Sequence, residues 1–131
     1  MQHYTTIEQS KKLVELGLNP ETADMFYSYG MNIKTKEWSY DAELMVIDEA
    51  DKLCDIPCWS LGALLELMPK ENENPFKNSN AFIGYGDEKY RCVYLNGDWE
   101  SSHQTMGDTP IEAAYNMVCW LLENNYVMKG E

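Results

Sequence analysis

A chain of 131 residues with 22 acidic and 10 basic side chains carries a formal charge of −12 at pH 7. That balance excludes a duplex-binding surface, where Lys and Arg must neutralise phosphates. A 44% hydrophobic content with 4 Trp, 9 Tyr and 8 Met excludes a disordered polypeptide, and no apolar run approaches the roughly 18 residues of a membrane span.

The first predicted element runs from Thr5 to Leu16, where Thr5 or Thr6 can cap a helix, Glu8 lies in the first turn and Gly17 follows the end. Asn19-Pro20-Glu21 predicts a second helix to about Tyr29, stopping at Gly30, because Pro is tolerated at the first helical position. The two are expected to form a helical hairpin lined by Ile7, Leu13, Val14, Leu16, Leu18, Met25 and Phe26. From Met31 to Ile56 the pattern is weak, with alternation near Trp38 and Tyr40 and an apolar run from Leu44 to Ile47. One weak strand or an irregular excursion is expected there.

Ser60 can cap a middle helix in which Leu61, Leu64, Leu65 and Met68 recur at helical spacing before Pro69 ends it. Lys70 to Ser79 read as a polar, Asn-rich loop. Strands are predicted over Ala81–Tyr85 and Tyr90–Leu95, joined by Gly86 to Lys89. Asn96-Gly97 predicts a type I′ turn into a third strand from Asp98 to about Thr105. Thr109, Pro110 and Glu112 then predict a capping box, opening a helix with Ile111, Ala114, Tyr115, Val118, Leu121 and Leu122 on its apolar side. Trp120 falls near the polar edge, so it is expected to pack against the N-terminal helices, the alternative being an exposed partner-binding Trp. The implied architecture is α+β in a single domain over residues 1–131: an N-terminal helical hairpin, a middle helix, a three- to four-stranded antiparallel meander and a C-terminal amphipathic helix packed on the sheet.

Candidate chemistry is sparse. Leu44 to Asp55, LMVIDEADKLCD, resemble the acidic box of DEAD-box helicases, in which carboxylates in the places of Asp48 and Glu49 hold Mg²⁺ and orient water. No GxxxxGK[ST] phosphate loop accompanies them, and 131 residues are too few for two helicase lobes. The segment reads as an apolar run ending in a solvated acidic turn. Cys58, between Pro57 and Trp59 at a helix start, is the candidate reactive thiol, because a helix N-terminus lowers a thiol pKa; the ordinary reading is a small apolar residue beside Trp59. His103 lies near Ser101, Ser102 and Asp108, a hydrolytic set on paper without the strained turn that marks a serine nucleophile.

Cys54 and Cys58 form a C-x₃-C pair, with His3 and His103 available, but zinc sites usually show two tight pairs and here there is one. No metal, cofactor or catalytic residue is therefore expected. The start, MQHYTTIEQSKK, has no basic-then-apolar leader, so a cytoplasmic location is expected, with Cys54, Cys58, Cys92 and Cys119 as free thiols.

Tyr27, Tyr29, Trp38, Tyr40, Trp59, Tyr85, Tyr90, Tyr94 and Trp99 exceed what one small core covers, so some should be exposed for a protein partner or a homodimer. Asp48, Glu49, Asp51 and Trp120 mark a candidate interaction surface. Three segments, TIEQSKKLVELGLNPETADM, IPCWSLGALLELMP and IEAAYNMVCWLLENNYVMKGE, together resemble a set of small uncharacterised acidic proteins of gut anaerobic bacteria and their phages and mobile elements. That resemblance implies a cytoplasmic accessory protein and carries no catalytic residue with it. The leading expectation is a non-catalytic protein-interaction module of a phage or mobile element, without direct nucleic-acid or membrane contact. One alternative is an acidic inhibitor that mimics phosphates for a nucleic-acid-binding protein, with Asp41, Glu43, Asp48, Glu49, Asp51 and Asp55 along one ridge. Another is a small enzyme with a site near Cys58 or His103.

Overall fold

A computed structural model of the protein describes residues 3–31, 34–44, 56–69, 79–96, 98–99 and 101–126, and only the backbone of residues 29, 30, 43, 44 and 102. The chain is α+β, with helices set against two three-stranded antiparallel sheets. Helix α1 (Ile7–Glu15) is opened by Thr6, whose hydroxyl accepts the Gln9 N–H while the Gln9 amide oxygen accepts the Thr6 N–H. This reciprocal cap satisfies two N–H groups that the first turn would leave unpaired. Gly17, at φ 104, takes the chain out of the helix in a conformation that disfavours side chains.

The expected helical hairpin is not present. Asn19 caps only a 3₁₀ turn, Pro20–Thr22, accepting the Glu21 N–H at 3.0 Å, and Met25–Met31 continues as strand β1. Long-range partners override the local helix signal. The Trp59 indole N–H donates to the Thr22 hydroxyl at 3.0 Å, and the Asp24 carboxylate accepts both the Ser60 N–H at 2.9 Å and the Ser60 hydroxyl. Held at that end, the aromatic run of β1 pairs on both sides, with β2 (Trp38–Leu44) and β3 (Ile56–Cys58), in the order β2-β1-β3. Residues 38–44 therefore do not widen the later sheet, as a four-stranded meander would require. They belong to a sheet of their own.

Ser60 caps α2 (Leu61–Leu67), accepting the Ala63 N–H at 3.2 Å. The second sheet, in the order β4-β5-β6, comprises β4 (Ser79–Gly86), β5 (Lys89–Asn96) and β6 (Ser101–Gly107). Asp87 and Glu88 form its first turn, both at positive φ, as a type I′ turn requires. The second connection is longer than the predicted two-residue turn, because Leu95 pairs with Ser101 and the register shifts beside Tyr94.

Helix α3 (Pro110–Glu123) is capped by Thr109 and covers one face of this sheet. Its Ile111, Ala114, Met117, Val118, Leu121 and Leu122 join Leu13, Leu18, Trp59, Leu64, Cys92 and Tyr94 in one buried cluster. Burial of each such aliphatic side chain stabilises the fold by about 1.5–3 kcal/mol. Gly107 sets the distance between helix and sheet. A Cβ there would lie 2.7 Å from the Ala113 nitrogen, so only glycine allows this approach. No described helix is long and apolar enough to cross a membrane.

Candidate interaction surface

Cys58 is fully buried, which removes the exposure a reactive thiolate needs. Its sulfur lies 3.5 Å from the Thr5 carbonyl and 3.8 Å from the Thr5 hydroxyl, inside a network in which the Thr5 hydroxyl also meets Ser10 at 2.7 Å and the Trp59 N–H at 3.1 Å. The Tyr27 hydroxyl donates to the same Thr5 carbonyl. Burial pushes the Cys58 pKa up despite these hydrogen bonds, so the helix-start argument for a low-pKa thiol is outweighed by desolvation. Burial likewise raises Cys92, to about 12, and Cys119.

His103 stands on β6 opposite Tyr94, with its ring stacked on Trp120 of α3 at a centroid distance of 3.7 Å and an interplanar angle of 14°. Burial lowers its pKa from 6.5, leaving a neutral imidazole at pH 7. Asp108 lies beyond the far end of β6 and accepts from Lys89 at 3.1 Å. The hydrolytic set drawn from the sequence is thus not assembled around Asp108; Ser101 is exposed at the opposite end of the strand. Trp120 is half-buried between His103 and Tyr126, whose ring centroid is 5.4 Å away. Its partner is the sheet edge, where the sequence pattern had pointed to the N-terminal helices. The period of α3 places Trp120 off the main stripe, and β6 reaches far enough round the helix to meet it.

Asp48, Glu49 and Asp51 lie outside the described residues, as does Cys54. Among the described residues no three His, Cys, Asp or Glu side chains gather as a metal site. A shallow groove of about 230 Å³ between α2 and β4 is lined by Leu65, Met68, Pro69, Asn80 and Ala81. Neither Cys58 nor His103 borders it.

The second sheet presents a different surface on the face turned away from α3. Phe82, Val93 and Gln104 lie side by side across it, and the next row holds Gly84, Arg91 and Met106. Phe82 is 46% exposed and Met106 45%. Trp99, in the β5–β6 connection, is 74% exposed and its ring lies 6.2 Å from that of Phe82. Trp99 also sits at φ 61, a left-handed conformation that is costly for a bulky residue. Of the aromatics singled out in the sequence, Trp59, Tyr94 and Tyr27 are buried, whereas Trp38, Tyr40, Tyr85 and Trp99 are exposed. Phe82 and Met106 were not singled out; the signal for Phe82 was its opposite phase to Ala81 and Ile83 along β4. Searches against protein-family models, curated protein sequences and solved structures find no match for this chain.

Proposed function

We propose that the chain is a non-catalytic protein-interaction module whose binding surface is the outward face of β4-β5-β6, centred on Trp99 and Phe82. The observation that carries this reading is Trp99: a large indole held at φ 61 and left 74% exposed. Left-handed backbone costs about 1–2 kcal/mol for a residue with a Cβ, and an exposed ring returns little of that in folding. Strain retained without a folding benefit is a mark of functional positions, and Trp and Tyr are the side chains enriched where partners bind most tightly. The catalytic alternative draws no support from a buried, high-pKa Cys58 or a stacked, neutral His103.

The formal charge of −12 favours a protein partner over nucleic acid. The buried free thiols Cys58 and Cys92 suit a reducing cytoplasm. The setting proposed for the chain is that of an accessory protein of a phage or mobile element. Tagged wild type, Trp99→Ala and Trp38→Ala would be recovered from lysate of the native host and their co-purifying proteins quantified by mass spectrometry. The expected result is one stoichiometric protein with wild type and Trp38→Ala that is lost with Trp99→Ala. Equal recovery by Trp99→Ala, or no stoichiometric protein with wild type, overturns the reading.

A further inference from the structure

Four strands end the two sheets among the described residues, and three of them carry a feature that discourages a further strand. β2 carries the exposed Asp41, and β3 is three residues long with Pro57 at its centre. On β6 the outward Met106 carbonyl already accepts from the Asn116 amide at 2.9 Å. β4 differs. Its eight residues, SNAFIGYG, contain no charge and no proline, in a chain with 22 acidic side chains.

The type I′ turn makes Gly86 and Lys89 a hydrogen-bonded pair, and such pairs alternate along an antiparallel ladder. The backbone groups of Ala81, Ile83 and Tyr85 therefore turn away from β5, and no described strand pairs with them. We propose that this edge pairs antiparallel with β4 of a second copy of the chain, about a two-fold axis at Ile83, joining the two three-stranded sheets into one of six strands.

The side chains suit that register. Ile83 meets its own copy, and Phe82 lies over Gly84 of the second copy, where a Cβ would find nothing within 4 Å. Tyr85 of the second copy comes opposite Ala81 on the helix-covered side. There its ring, 65% exposed in one copy, reaches the groove formed by Leu65, Met68, Pro69, Asn80 and Ala81. No like charges meet along the seam, which a second copy of so acidic a chain needs. Phe82 borders both this edge and the outward face, whereas Trp99 stands in the β5–β6 connection and belongs to the outward face alone.

Sedimentation equilibrium over a concentration series, with amide exchange measured at its two ends, tests the pairing. Wild type is expected to show a reversible monomer–dimer equilibrium, with the Ala81, Ile83 and Tyr85 amides protected only where dimer prevails. Tyr85→Ala, an exposed position, should raise the dissociation constant at least tenfold, while Trp99→Ala should leave it unchanged. A wild type that stays monomeric overturns the proposal, as does a Tyr85→Ala that dimerises like wild type or protection of those amides that is independent of concentration. A monomer that still captures a Trp99-dependent partner refutes the edge pairing alone; a dimer without such a partner refutes the face-binding reading alone.

Discussion

Thr5 and Trp59 hold each other by two hydrogen bonds: the Thr5 N–H donates to the Trp59 carbonyl at 2.9 Å, and the Trp59 N–H donates to the Thr5 hydroxyl at 3.1 Å. Both residues are fully buried. Thr5→Val keeps the shape of the side chain and removes the hydroxyl, leaving the Trp59 N–H without that partner. Leaving a buried donor unsatisfied costs about 1–3 kcal/mol. Urea unfolding should show a loss in that range, and a change below about 0.5 kcal/mol, the usual size for a surface substitution, would contradict the role given to this contact.

Gly107→Ala should destabilise by about 1–3 kcal/mol, the usual cost of forcing atoms into a packed contact. The added Cβ meets the Ala113 nitrogen at 2.7 Å and the Glu112 side chain at 2.8 Å, and the backbone atom cannot swing aside. A denaturation midpoint equal to that of wild type would show that α3 does not sit so close to β6.

Glu88→Gly should have the opposite sign. Glu88 holds φ 66 at the second position of the type I′ turn, where glycine is favoured. Relief of the left-handed conformation exceeds the added unfolded-chain entropy, for a net gain of about 0.5–1 kcal/mol. Thermal unfolding reads it as a raised midpoint.

His103 gives the fold a pH dependence of defined sign. Burial holds its pKa below 6.5, so the unfolded chain takes up the proton first as the pH falls. Stability contributed by the neutral imidazole is therefore present above 6.5 and lost as the pH drops through the folded value. Between about pH 7.5 and about pH 5, wild type should lose more stability than His103→Gln, which does not titrate. The difference between the two proteins isolates His103 from the carboxylates, and its reversal would mean that the Trp120 stack favours the cation.

The thiols should be inert in the folded protein. Cys58 and Cys92 are fully buried with raised pKa values. Treatment with iodoacetamide at about pH 8, near the pKa of an unperturbed thiol, should leave both unmodified until urea is added, as read by site-resolved mass spectrometry. Rapid native labelling of Cys58 would restore the case for thiol chemistry.

Helix ends were legible because capping is a local event. Thr6 with Gln9, Ser60 with Ala63, and Thr109 with Glu112 lie within one turn of chain, and the apolar stripe of α3 follows from its own period. The Ala81–Leu95 hairpin was legible for the same reason. Strand β1 was not, since Asn19-Pro20-Glu21 does start a helical turn and only Trp59 and Ser60, distant in sequence, take up Thr22 and Asp24 and release the rest for pairing. The candidate surface divides similarly. An excess of aromatic residues announced that some must be exposed, but which ones depends on which face α3 covers and on a backbone angle at Trp99. By itself the sequence determined the charge, the helix caps and the apolar periods, all set by neighbours within a few residues. The tertiary structure decided that Cys58 is buried, that Trp120 lies on His103 and that no described strand pairs with the outer edge of β4, because each depends on what the folded chain brings beside it.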